Sequence, residues 1–415
     1  MEAEADRHVD LIDNPSTKQL QDRPPRLAAM PQMKAIQFKQ GGGAAAECLE
    51  LTTLDKPTPK DGDLLVKNYA CAVNPVDTKI REGKFPASQI TGYDAAGIVE
   101  SVGSSVTSFQ AGDEVYFSGQ LGRPGSTAQY SLVDARLVAK KPKNLDWVDA
   151  ACVPLVTLTA WELLEEHFNL LTNDPSGQQK SKSILIINGA GGVGSIGTQL
   201  ARKVFKLGTV TVTASRPETI SHAKEMGATH VINHREPLKE QLKSVVGVDG
   251  VDYIFICYDT NAYMPHLIDI CKPKAKIGSI VEIPELLQGM HTPDAFLKQI
   301  SFHWEVMLSK GVYEYELESQ GAILRHAARL LEDGTLKSVC KERDVLSVKG
   351  LIKAHERLES DPDDGHDSSP TYELYQDQKT SMSYPSDDPP SRRAAVKALT
   401  SDIEKRGGTA AAQHR

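Results

Sequence analysis

The sequence stretch that says most about chemistry is Asn188-Gly189-Ala190-Gly191-Gly192-Val193-Gly194. It follows the apolar run Ser183-Ile184-Leu185-Ile186-Ile187, a buried parallel strand by composition, and precedes a helical stretch from Ser195 to Lys206. Gly-x-Gly-x-x-Gly between a strand and a helix is a dinucleotide cradle. Gly189 permits the tight turn, Gly191 lets backbone approach a pyrophosphate, and Gly194 allows close helix packing, while the helix start offers N–H donors and partial positive charge. No Lys-Ser/Thr pair follows, which excludes a Walker phosphate loop. Gly189, Gly191, Gly192, Val193 and Gly194 are therefore the candidate cofactor-binding residues. At the end of the next strand, where an NAD site places an acid on the ribose 2′-hydroxyl, stand Ser215 and Arg216. A hydroxyl and a guanidinium suit a 2′-phosphate, so NADPH is the expected cofactor.

The elements that must position this turn can be read from periodicity. Val210 to Ala214 and Asp252 to Ile256 repeat the buried-strand pattern, and Pro217 to Met226 is a helix with proline in its first turn. Strands and helices alternating at this pitch predict an α/β unit, a Rossmann-type doubly wound parallel sheet. Upstream, the short runs Lys34 to Phe38, Asp63 to Tyr69 and Gly97 to Val102 are separated by Gly, Pro and Asp clusters, which predicts a separate β-rich unit. An apolar helical stripe from Ala150 to Leu164 joins the two.

The 415 residues, 40% hydrophobic and 25% charged, hold material for two or three domains. A net charge of −8 supplies no basic field for nucleic acid or anionic lipid. No apolar run approaching the roughly 20 residues of a membrane span is evident, the N-terminus lacks a secretory layout, and cytosol is the default compartment. The six cysteines include no Cys-x-x-Cys pair and read as reduced, mostly buried thiols. Residues 1–32 read as a disordered leader. Residues 361–390 carry eight acidic side chains against one basic, and residues 361–415 read as a disordered acidic tail.

A β-rich unit before this nucleotide unit resembles the medium-chain dehydrogenase/reductase superfamily over about Met33 to Glu359. The resemblance implies a GroES-like catalytic domain at 33–153, a Rossmann NADPH-binding domain at 154–300, and a return segment to the first domain at 301–360. Zinc members use Cys, His and Cys as catalytic ligands, and the flanks place those positions at Asn74, Tyr93 and near Leu155. An amide, a phenol and an isobutyl group do not form a zinc site, so no metal is expected. Asn74-Pro75-Val76-Asp77 resembles the zinc-free quinone oxidoreductase and enone reductase branch. Gly119 to Ser126, Leu158 to Leu164, Ala214 to Glu218 and Ser301-Phe302-His303-Trp304-Glu305 are similar to the zinc-type alcohol dehydrogenase-like subfamily.

Without a Lewis acid, activated acceptors suit the site better than simple alcohols. The expected reaction is hydride transfer from NADPH to a quinone or α,β-unsaturated carbonyl. Asn74 would position the nicotinamide or substrate oxygen, Tyr93 or water would give the proton, and Thr159, by resemblance, would touch the nicotinamide end. Alternative readings are a zinc alcohol dehydrogenase and an NADPH-binding module without turnover, acting in redox sensing or in RNA or protein binding. The resemblance implies a homodimer and a small-molecule substrate, with no nucleic acid or membrane partner. Family members close the first domain with a strand after a helix like Leu351 to Leu358. Here Glu359 and Ser360 run into acidic text, so that strand is expected to be missing, or the reading frame to depart from the family's at that point.

Overall fold

The computed structural model describes residues 31–39, 43–85, 88–283, 287 and 289–359, and the backbone of 371–375. The leader lies outside these residues, except that the first strand already begins at Gln32; the tail lies outside them apart from 371–375. The first unit holds β1 (Gln32–Phe38), β2 (Leu49–Asp55), β3 (Asp63–Val73), β4 (Asp94–Val102), β5 (Glu114–Ser118), β6 (Tyr130–Asp134) and β7 (Val138–Lys140). β1 and β2 form an antiparallel pair, while β3 to β7 build an antiparallel sheet in which β3 pairs both β4 and β6.

The second unit holds β8 (Ser183–Ile187), β9 (Thr209–Thr213), β10 (His230–Ile232), β11 (Val251–Ile256), β12 (Cys271–Ser279) and β13 (Ser301–Trp304). These run in the order β10-β9-β8-β11-β12-β13, all parallel, the doubly wound arrangement whose order reverses between β8 and β11. All five residues of β8 are buried because it is central in the sheet and helices cover its faces. β13 belongs to this sheet, pairing with β12 through Ser301, Phe302, His303 and Trp304. The expected boundary at 300 therefore falls short of the nucleotide unit's last strand. An apolar strand end can complete a sheet or leave it, and pairing rather than composition decides.

The chain then returns to the first sheet with β14 (Cys340–Val345), the helix Val348–Glu359 and β15 (Thr371–Tyr375). β15 pairs in parallel with β14 and antiparallel with β3, with Tyr372 opposite Val73 and Tyr375 opposite Ala70. The expectation of a missing last strand, and of a tail disordered throughout 361–415, is thus corrected. Thr371-Tyr372-Glu373-Leu374-Tyr375 is rich in strand-favouring residues, and the acidic text around it concealed a five-residue strand.

A helical stretch from Trp147 to His167 is long and apolar enough to cross a membrane by length and composition, contrary to the sequence reading; 83% of its most apolar window is buried inside the protein. Its first part packs on β3 and β4, and its second on the helix Gly192–Gln199 that follows the glycine turn. One apolar cluster consequently runs from Ile36 and Ala70 through Ala150 and Trp161 to Ile184, Phe255 and Leu351, joining the units. A chain ending at Ser360 would leave β14 without the strand it pairs with and β3 without a partner on that side over Ala70 to Val73. We expect it to lose about 3 kcal/mol or more at roughly 1 kcal/mol per backbone hydrogen bond. Thermal unfolding of the truncated and full chains checks this, and equal midpoints would contradict it.

Candidate active site

β8 ends where the backbone must turn sharply into a helix, and Asn188 takes the turn at φ 59°. The left-handed residue is thus Asn188, a type that tolerates it, and not Gly189 as the fingerprint suggested. Gly189 is required for space: a Cβ there would sit 2.3 Å from Val212 Cγ1 of β9. Gly194 is required likewise, because its Cβ would lie 2.4 Å from the Asn188 carbonyl oxygen. Gly191, Gly192, Val193 and Gly194 line a cleft, and the first-turn N–H groups of the helix Gly192–Gln199 lie at that end. The Asn188 side-chain oxygen, buried in the same wall, has no hydrogen-bond partner among the described residues. Ser215 and Arg216 follow β9, which lies parallel beside β8, so topology brings them to the same sheet edge. They do not line the cleft itself. Arg216 Nε lies 3.4 Å from Glu218 Oε1, and the Arg216 backbone opens the helix Pro217–Met226. These residues fit a dinucleotide: a glycine cradle, an open helix start and a half-buried guanidinium.

The cleft continues between the units, lined by Asn74, Pro75 and Val76 from the end of β3, by Leu155, Val156 and Thr159, and by Ile280, Val281, Glu305, Val306 and Met307. Cys257, after β11, completes the carboxyl-edge wall at the order reversal. Across the rim Lys79 and Glu282 form an ion pair of 2.6 Å that joins the two units. Thr159 faces the cleft, its Oγ1 donating to the Leu155 carbonyl at 2.8 Å.

Asn74 is held by two buried carboxyls. Its backbone N–H donates to Asp77 Oδ2 at 2.7 Å, and its side-chain Nδ2 donates to Asp94 Oδ2 at 2.9 Å. Asp77 Oδ1 accepts from the Gly92 N–H at 2.7 Å, and Asp94 Oδ1 accepts from the Leu155 N–H at 2.7 Å. Burial pushes Asp77 up to about 7 and Asp94 well above the usual carboxylate range, against the pull of those donors.

Tyr93 does not line the cleft, so the expectation that it supplies the proton is corrected. Neighbours on an extended chain face opposite ways; Asp94 turns to Asn74 and Leu155, and Tyr93 turns away into a separate small cavity with Phe117, Gly119 and Arg123. Its hydroxyl is buried without a hydrogen-bond partner among the described residues, and burial raises its pKa further from any working range. The zinc positions thus hold an amide already bonded to Asp94, a phenol directed elsewhere and a leucine. This donor set does not fit a catalytic zinc ion.

Sequence reasoning missed Glu305. It quoted the residue only as the end of the 301–305 stretch, whereas Glu305 lines the cleft while being only 3% exposed, and His303 and Trp304 do not line it. Glu305 belongs to a buried cluster with Glu162 and Lys310, whose Nζ lies 3.4 Å from Glu162 and 2.6 Å from Glu166. The available signal was charge inside apolar text, Glu162 in a helical stripe and Glu305 before Val306-Met307-Leu308. Burial, then repulsion from neighbouring carboxylates, pushes Glu162 and Glu305 each up to about 8.

These shifts fix the sign of a pH effect. Between about pH 6.5 and about pH 8 the native chain keeps protons on Glu162 and Glu305 that the unfolded chain has released, so stability falls as pH rises. His222 and His355, held by burial near 4 and 3, are neutral in the native chain but still partly protonated in the unfolded chain up to about pH 7.5, which opposes the effect, so the carboxyl contribution stands clear of them from about pH 7.5 to about pH 8. Urea unfolding across that window should show a falling midpoint; a flat or rising one would contradict the assignment. Asp94→Ala should cost ~3 kcal/mol by stranding two buried donors, measured the same way, with no loss counting against it.

Comparison with known proteins agrees with this geometry. The Alcohol dehydrogenase GroES-like domain profile matches residues 60–143, and the Zinc-binding dehydrogenase profile matches residues 192–318. A zinc-type alcohol dehydrogenase-like protein of Staphylococcus epidermidis is 39% identical over 334 residues, covering 79% of this chain and 96% of its own. The chloroplastic NADPH-dependent alkenal/one oxidoreductase of Arabidopsis thaliana is 32% identical over 341 residues, 79% of this chain and 77% of its own. Among solved structures, a protein of Rhizobium etli CFN 42 described as a zinc-dependent alcohol dehydrogenase superposes with a TM-score of 0.75 at 34% identity, covering 83% of this chain and 98% of its own. With its GroES-like unit, its doubly wound sheet and these relatives, the chain belongs to the medium-chain dehydrogenase/reductase superfamily and is an oxidoreductase of that type.

Proposed function

We propose that this chain is an NADPH-dependent reductase that transfers hydride to α,β-unsaturated carbonyls or quinones without a catalytic metal. The observation that carries this is the composition of the cleft between the glycine turn and Asn74: Leu155, Val156, Ile280, Val306 and Met307 wall it with apolar side chains, and Asn74 supplies a fixed amide. Bound at the glycine turn, a reduced nicotinamide supplies hydride. An amide nitrogen carries two N–H groups, and one of Asn74's goes to Asp94; the second is available to a carbonyl or quinone oxygen as charge develops there. Asp94 keeps that donor aimed without reorganisation. Thr159, Leu155 and Val156 shape the floor of the cleft, and an apolar chamber excludes water from a hydride acceptor. The preference for NADPH rests on Ser215 and Arg216 standing where an NAD site carries an acid, and the alkenal/one oxidoreductase relative, named as NADPH-dependent, favours the same choice. The proposed assembly is a homodimer formed through the nucleotide unit.

Purified protein should oxidise NADPH with a short enone or a quinone at a rate unchanged by a strong chelator. Loss of turnover on chelation would restore the zinc alcohol dehydrogenase reading, and saturable NADPH binding without turnover would favour a binding role. Arg216→Ala should weaken NADPH at least about tenfold, the value of one charge-assisted hydrogen bond, and leave NADH nearly unchanged. Titration by nicotinamide fluorescence measures both, and equal losses for the two cofactors would contradict the role of Arg216.

A further inference from the structure

We propose that Lys341, carried by the return segment of the first unit, is a second cation for the 2′-phosphate of NADPH, so that both units select the cofactor; the inference rests on the NADPH reading above. The observation behind it is a contact between the units. Lys341 Nζ donates to the carbonyl of Ala190, between Gly189 and Gly191 in the glycine turn, at 2.6 Å. Lys341 lies on β14, which pairs in the first sheet, and stands 151 residues from Ala190.

The chain between the helix Leu317–Glu332 and β14 delivers it there by running along the helix that follows the turn. At the far end of that helix, in its continuation Leu200–Val204, Lys203 Nζ donates to the Thr335 carbonyl at 3.0 Å. One turn nearer, the Gln199 side chain exchanges two hydrogen bonds with the Lys337 backbone, at 3.1 and 2.8 Å. Lys341 then arrives at the glycine turn itself. Its place is set by a run of bonds along a helix, and the flexible stem supplies only the last step.

The corner it enters is the one a dinucleotide fills with its adenosine ribose. The Asn188 N–H donates to Thr213 Oγ1 at 2.9 Å, which holds the start of the turn against the end of β9, just before Ser215 and Arg216. Beyond them the helix Pro217–Met226 packs on the helix Gly192–Gln199, with Ser195 Oγ 2.8 Å from His222 Nε2. Burial first, and then the Lys341 charge, push His222 down to about 4, so the imidazole is neutral and the ammonium acts on this helix pair from close by. A phosphate monoester carries between one and two negative charges at neutral pH, and Arg216, with Nε 3.4 Å from Glu218 Oε1, meets it with a charge already partly offset. Other cations of this face are engaged elsewhere: Lys337 pairs with Glu225 at 3.0 Å, and Arg343 with Asp146 and Asp149 at 2.7 and 2.8 Å. Lys341 is exposed to an entering ligand, and a phosphate oxygen is a stronger acceptor for its ammonium than the neutral Ala190 carbonyl.

Lys341→Met removes the charge and keeps the stem. We expect the Kd for NADPH to rise about tenfold, the value of one charge-assisted hydrogen bond, and the Kd for NADH to stay within about twofold, both read by nicotinamide fluorescence. Adenosine 2′,5′-bisphosphate and adenosine 5′-monophosphate repeat the comparison by calorimetry without a nicotinamide: the variant should bind the first more weakly by a similar factor and the second as the wild type does. Lys341→Arg should keep the preference for the 2′-phosphate. Equal losses for the ligands with and without that phosphate would overturn the proposal, because they would put Lys341 on the pyrophosphate or in the fold alone. A Lys341→Met protein that keeps the wild-type preference for NADPH would overturn this proposal and leave the NADPH reading standing. A wild type that binds NADH as tightly as NADPH would overturn both.

Discussion

The buried carboxyl of Asp94 is the contact on which the site depends. It accepts from the side chain of Asn74, at the end of β3, and from the backbone of Leu155, at the start of the helix that crosses to the nucleotide unit. One residue at the start of β4 therefore sets the spacing between the amide donor and the helix carrying Thr159. Burial makes the carboxyl expensive to ionise, and two short hydrogen bonds offset part of that cost, so the arrangement is rigid because its alternatives strand polar groups. Asp77 repeats the device one turn away, bonding the Asn74 and Gly92 backbones.

Around that clamp the two units share one apolar cluster, so the cleft is a seam between parts that are packed together. Burial of Trp147–His167 explains how a stretch apolar enough for a membrane belongs to this interior. Helix Pro75–Arg81 is tied back by Arg81, whose Nε donates to His355 Nδ1 at 3.2 Å and whose guanidinium pairs with Glu359. The helix Val348–Glu359, far along the chain, thus helps to fix the segment next to Asn74.

Much of this was legible in the sequence because local rules carried it. The run Ser183 to Ile187, the glycine turn and the proline-led helix at Pro217 each declare themselves through period or residue type. What was not legible depends on partners distant in sequence. The direction of Tyr93 follows from what Asp94 bonds, β15 follows from the open sides of β3 and β14, and the pairing of Glu305 with His167 spans two elements that periodicity treats separately. Buried charge in apolar text, at Glu162 and Glu305, is the signal that reading for motifs passed over.

The central claim is that hydride goes to the carbon conjugated to a carbonyl, in a site whose polar groups are those of the chain itself. The most direct measurement is the fate of deuterium from C4-deuterated NADPH given to the enzyme with an α,β-unsaturated ketone, read by NMR of the product. Deuterium on the β-carbon with the carbonyl intact is the result the account predicts. Deuterium on the carbonyl carbon of an allylic alcohol would contradict it.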